Sequence, residues 1–115
     1  MNLYADNLTA HRTLDVRNTG QVIASGNRLL SGYHFFNKSA SIVYLKFYNK
    51  ASNPTSSDTP VFTIGVSATN PVGFVLPGPL QFTLGIGLRA TTGIADNDTN
   101  DVAANDLHGV VFCKA

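Results

Sequence analysis

The stretch SIVYLKFYNKASNPTSSDTPVFTIGV, from Ser41 to Val66, is the part of the chain whose reading decides the fold. Two apolar, aromatic runs flank a loop built almost entirely of Ser, Thr, Asn, Asp and Pro. In the first run Val43, Leu45 and Phe47 fall on one side of an extended chain and Tyr44, Lys46 and Tyr48 on the other, the period-two alternation of a half-buried strand. In the second, Phe62, Ile64 and Val66 share a face, and Pro60 stands at the strand start, where a missing donor is tolerated. None of the three pieces carries an obvious catalytic group.

Outward from this stretch the same grammar continues. Toward the N-terminus, QVIA (from Gln21) leads through the turn SGN into RLLSGYHFF (from Arg28), and NKSAS turns into the quoted run. Beyond Val66 come PVGFVL, a tight turn at PGP, and LQFTLGIGLRATT with a bend or bulge expected at Gly85 or Gly87. The loop GIADNDTNDVAAND then precedes a last strand, LHGVVFCK. Gly, Pro or an Asn/Asp/Ser cluster interrupts every apolar run before about three helical turns, and only DVAANDL could form a helical turn. About eight short strands at this spacing predict an all-β fold, an antiparallel β-sandwich of jelly-roll style. Residues 1–17 have weak periodicity and read as an extended N-terminal arm, with the sandwich domain spanning 18–115. Phe35, Phe36, Phe47, Phe62, Phe74, Phe82 and Phe112 are the expected core anchors, each worth roughly 1.5 to 3 kcal/mol if fully buried.

Composition narrows the function. A chain of 115 residues suits one domain. Charged residues make up only 13%, against roughly 25% in an average soluble domain, which leaves a surface of Ser, Thr, Asn and Gly suited to an assembly. With a net charge of +1 and eight scattered Lys and Arg there is no electrostatic footprint for nucleic acid. Cys113 is the only cysteine, so no intrachain disulfide forms, and it reads as a small buried hydrophobe. The N-terminal residues lack the pattern of a signal peptide, and no apolar run reaches the ~18 residues of a membrane span, so the expectation is a protein kept in a cytosol or in a particle assembled there. The sequons at Asn7, Asn37 and Asn97 then reflect composition.

Motifs for chemistry are sparse. GIGLRA, from Gly85, fits a dinucleotide fingerprint formally, but no helix follows to hold a pyrophosphate, so a strand bend is expected. His11, His34 and His108 are isolated from one another, unlike the tight pairs of most metal ligands. Asp96, Asp98, Asn100 and Asp101 offer hard oxygen ligands, but Asp101 stands where an EF-hand needs Gly and Leu107 where it needs Glu. A looser cation site and a solvated loop of self-capping Asx turns both remain open for that loop. Tyr33, Tyr44 and Tyr48 read as exposed, suited to stacking on sugars or to a protein interface. No catalytic residue, cofactor or metal ligand is assigned, and the chain reads as a non-enzyme.

From about Arg28 to Phe112 the order of YLKFYNKA, PTSSDTP, an apolar strand, a P-G turn, GIGLRATTG and ADNDT...AAND resembles small structural proteins of tailed bacteriophages. The resemblance implies a virion component made in a host cytoplasm, closest in style to decoration (cement) proteins. Such a protein would sit on the outer capsid surface as a homo-oligomer, a homotrimer ahead of a homodimer, and brace the major capsid protein, with no nucleic-acid or membrane partner. Its contact surface is expected at Leu3, Tyr4 and Leu8 of the arm, at Tyr44 and Tyr48, at Asn53 and Pro54, and at Asp96, Asp98 and Asp101. A tail or head-fibre module and a carbohydrate-binding β-sandwich are the alternatives.

Overall fold

Residues 8–115 are described by the computed structural model, so Leu3 and Tyr4 of the expected arm lie outside the described residues. The described residues form eight strands and no helix: β1 (Thr9–Thr13), β2 (Gln21–Ser25), β3 (Arg28–Asn37), β4 (Val43–Asn49), β5 (Phe62–Val66), β6 (Asn70–Phe82), β7 (Gly85–Thr91) and β8 (Leu107–Lys114). They make two antiparallel sheets of four, ordered β1-β8-β3-β6 and β2-β7-β4-β5, packed as a sandwich. The pairings are nested. β4 pairs with β5, β3 with β6, β2 with β7 and β1 with β8, while β8 also joins β3 and β7 joins β4. The first half of the chain thus runs against the second as one long ribbon, folded so that alternate rungs land in opposite sheets.

Between the sheets lie Val16, Leu30, Phe35, Val43, Leu45, Phe47, Val66, Phe82, Ile86, Leu88, Leu107, Val111 and Cys113, all essentially sealed from water. The bulge in β3 explains why RLLSGYHFF shows no clean alternation. Its register against β8 passes from Leu30↔Cys113 to Gly32↔Phe112, so Ser31 is an extra residue that rephases the strand and lets both Leu30 and Tyr33 face inward.

Several expectations are corrected by this packing. Of the phenylalanines, Phe35, Phe47 and Phe82 are fully buried, and Phe62 is half-buried and stacked on Phe47 at 4.5 Å. Phe36 and Phe112 are only half-buried, because their register places them on the outer face of the first sheet. Phe74 is 54% exposed, because among the described residues β6 is an edge strand with only β3 beside it. The PGP segment does not reverse the chain. β6 runs through it, and the register jump from Gly32↔Val75 to Leu30↔Leu80 makes residues 76–79 bulge out. The chain crosses to the other sheet at Thr83 and Leu84 instead. The bulge expected in β7 lies on its partner β2, where Ile23 is the extra residue between Val22↔Gly87 and Ala24↔Ile86.

The segment from Thr9 to Arg17 is part of the sandwich, not an arm. β1 pairs along its whole length with β8, Val16 is buried, the Val16 N–H donates to Leu107 O, and Arg17 O accepts from the Ala90 N–H. As the outermost rung of the ribbon, β1 covers an edge that β8 would otherwise leave open.

Candidate functional site

The outer faces of the two sheets differ. β4 was expected to be half-buried, yet Lys46 and Tyr48, on its outward side, are as inaccessible as Leu45 and Phe47. The polar loops provide the cover. One, from Lys50 to Val61, lays a buried Pro54 against β2 and β7: a Cβ on Gly20 would stand 2.6 Å from Pro54 Cδ, and one on Gly87 would stand 3.1 Å from it. The other, from Thr92 to Asp106, closes over the middle of the same sheet.

Two cations hold this roof. Lys46 and Arg89 are directly opposite in the β4–β7 register, both buried, an arrangement that is repulsive on its own. Loop carbonyls offset the repulsion. Lys46 Nζ donates to Ala95 O at 2.5 Å; Arg89 donates through Nη2 to Asp98 O at 2.8 Å, through Nε to Asn18 O at 2.8 Å and through Nη1 to Tyr48 Oη at 3.0 Å. Burial, with Arg89 adding to it, lowers the Lys46 pKa, while the Asp98 and Asp96 carboxylates act in the opposite sense. Burial also raises the Tyr48 pKa, against the pull of Arg89.

Two carboxylates of the Asp-rich loop, Asp98 and Asp101, are likewise occupied. Asp101 accepts from Arg17 Nη2 at 2.6 Å and from the Asn18 and Val102 N–H groups at 2.9 Å, and the Arg17 bond is the main reason its pKa is lowered. Asp98 accepts from the Gly93 N–H and from Asn100 Nδ2, both at 2.8 Å. Burial acts to raise its pKa, and the hydrogen bonds together outweigh it, so the net shift is downward. In the first loop Asp58 takes Lys50 Nζ at 2.6 Å and the Thr55 N–H at 2.8 Å, and its pKa is lowered chiefly by Lys50. These are the bonds of capped turns. The DVAANDL segment makes no helix: the Asp106 N–H closes a turn onto Ala103 O, with Asn105 at φ 63°. Among the described residues no group of three or more His, Cys, Asp and Glu is placed to hold a metal ion.

The residues expected at a contact surface separate accordingly. Asn53, Asp96 and Asp101 are exposed on the roof, Asp98 is half-buried within it, and Leu8 is half-buried just before β1. Tyr44 is half-buried, whereas Pro54 and Tyr48 are buried inside the chain and unavailable to a partner. Tyr33 is also buried, at 8% exposure, packed 5.4 Å from Phe47. Two of the three supposed sugar-stacking platforms are therefore structural. The residues missed were Arg89, Lys46 and Arg17, and the signal for the first was available: a lone Arg in the apolar run GIGLRAT.

Among the described residues no loop covers the outer face of the first sheet in this way. His34 and His108, isolated in sequence, meet on its outer face with Arg12, Val110 and Phe112 around an open groove of about 420 Å³. His11 lies on the inner side of β1, opposite Val111, with Nε2 buried and unpartnered among the described residues. Burial, then the charge on Arg28, lowers its pKa. No helix of the described residues is long and apolar enough to cross a membrane. Comparison with models of known protein families, with characterised proteins and with solved structures finds no match.

Proposed function

We propose that this chain is a non-enzymatic virion component, a decoration protein that binds the outer surface of a tailed-phage head as a homo-oligomer and braces contacts between major capsid subunits. The observation that carries the proposal is the roof over the second sheet. Two polar loops are held in one shape by buried Arg89 and Lys46 and by the Arg17–Asp101 and Lys50–Asp58 pairs, while Asn53, Ile94 and Asp96 stay exposed. Loops ordered before docking lose little further entropy on binding, which favours a clamp made of many weak contacts. The segments that resemble phage structural proteins coincide with this region: YLKFYNKA is β4 and its exit, PTSSDTP the first loop, GIGLRATTG β7, and ADNDT...AAND the second loop. The nested pairing of eight antiparallel strands in two sheets also supports a jelly roll, an architecture common in capsid components.

The test is sedimentation of the purified protein with expanded phage heads, followed by imaging of the particles. Density on the shell at subunit boundaries supports the proposal. Density on tails or fibres moves the chain to the fibre-module alternative, and saturable binding on a glycan array with none to heads would replace the proposal altogether.

A further inference from the structure

From Thr59 to Leu88 the chain contains no Asp, Glu, Lys, Arg or His. The fold gathers much of this uncharged stretch on one flank, because β5 and β6 are the terminal strands of their sheets and touch each other across the sandwich. Among the described residues, five of the eight exposed large hydrophobic side chains lie in it: Val61 (47%), Phe74 (54%), Val75 (84%), Leu80 (36%) and Leu84 (55%). Between the two strands the core is open to the surface through an apolar cleft of about 210 Å³ lined by Tyr33, Phe62, Phe74, Leu76 and Leu80.

A solitary sandwich usually guards such edges with charged side chains, particularly Lys. Among the described residues the carboxylates lie in the β1–β2 loop and the two roof loops, the exposed Arg12 on β1 belongs to the opposite flank, and Arg28 and His34 stand on β3, one strand in from the β6 edge. We propose that the β5–β6 flank is where copies of this chain meet one another. The occupant follows from charge: close to a symmetry axis residues meet their own copies, so a charge there meets its like, and an edge strand without charges escapes that repulsion. Pro71, Pro77 and Pro79 withhold backbone donors from β6, so the contact is side-chain packing around Phe74, Val75 and Leu80 and not a continuous sheet.

This inference rests on the homo-oligomer of the proposed function and names its surface. The test is light scattering on the full chain, comparing wild type with Val75→Lys, Phe74→Lys and, on the roof, Ile94→Lys. All three side chains are more than half exposed, so folding is preserved, and circular dichroism checks it. The expected result is an oligomeric wild type whose dissociation constant rises about tenfold or more in Val75→Lys and Phe74→Lys but is unchanged in Ile94→Lys. An oligomer that ignores both flank substitutions overturns the surface while leaving the homo-oligomer intact. A wild type that stays monomeric at its highest soluble concentration overturns both, and head binding, measured separately, then decides whether the flank receives the capsid protein instead.

Discussion

Arg89 is 1% exposed, and replacing it with Met keeps the aliphatic stem and removes the guanidinium, which makes three hydrogen bonds. Bonds from a charged donor contribute roughly 1.5 kcal/mol each at the low end, a gross loss of about 4 to 5 kcal/mol. Ending the opposition to Lys46 and the burial of a charge returns about 1 to 2 kcal/mol. The net destabilisation is then about 3 kcal/mol, a fall in Tm of roughly 10 to 20 °C for a domain of this size. Urea unfolding gives the free energy, and hydrogen exchange locates it. The Thr92 N–H bonded to Asn100 O and the Gly93 N–H bonded to Asp98 should lose protection well before the amides of β3 and β8. A stability change below about 1 kcal/mol, or uniform loss of protection, would refute the view that Arg89 holds the roof.

Other outcomes follow from the same packing. Phe82→Ala, at a fully buried site, should cost about 3 to 5 kcal/mol, while Phe74→Ala in the dilute protein should cost less than about 1 kcal/mol; equal losses in chemical denaturation would mean that β6 is not an open edge. Gly20→Ala would drive a methyl into the Pro54 backbone, so a loss of about 1 to 3 kcal/mol is expected, with altered NMR shifts across Lys50 to Val61. Stability should fall toward acid in two stages. The His11 pKa is below its unfolded value of 6.5, so folding disfavours the protonated ring, and stability held above that pH declines as the pH drops below it. Asp58, Asp98 and Asp101 have pKa values below 3.8, so their contribution is present above that pH and is lost as the pH falls further. Denaturation midpoints across pH 7 to 2 check this, with His11→Gln expected to abolish the upper stage alone.

Local sequence carried the all-β class and the strand positions of β2 to β5 and β8, because alternation and turn residues act over a few neighbours. It could not carry the pairing that makes β1 a strand, since Thr9 to Thr13 owes its place to Cys113 through Gly109 at the other end of the chain. Nor could it show that PGP is a bulge inside β6, because that depends on the register of Leu30 and Gly32 beside it. The tyrosines failed for a related reason. Period two assigns Tyr48 and Lys46 to the side opposite Phe47, correctly, but only loops returning from Lys50 to Val61 and from Thr92 to Asp106 decide that this side is also sealed from water. The chain by itself therefore determined which residues extend in β2 to β5 and β8, and which face each shares in β4 and β5, a matter of backbone geometry between neighbours. Which faces meet water was decided by tertiary structure, because burial depends on what the rest of the chain brings to lie above them.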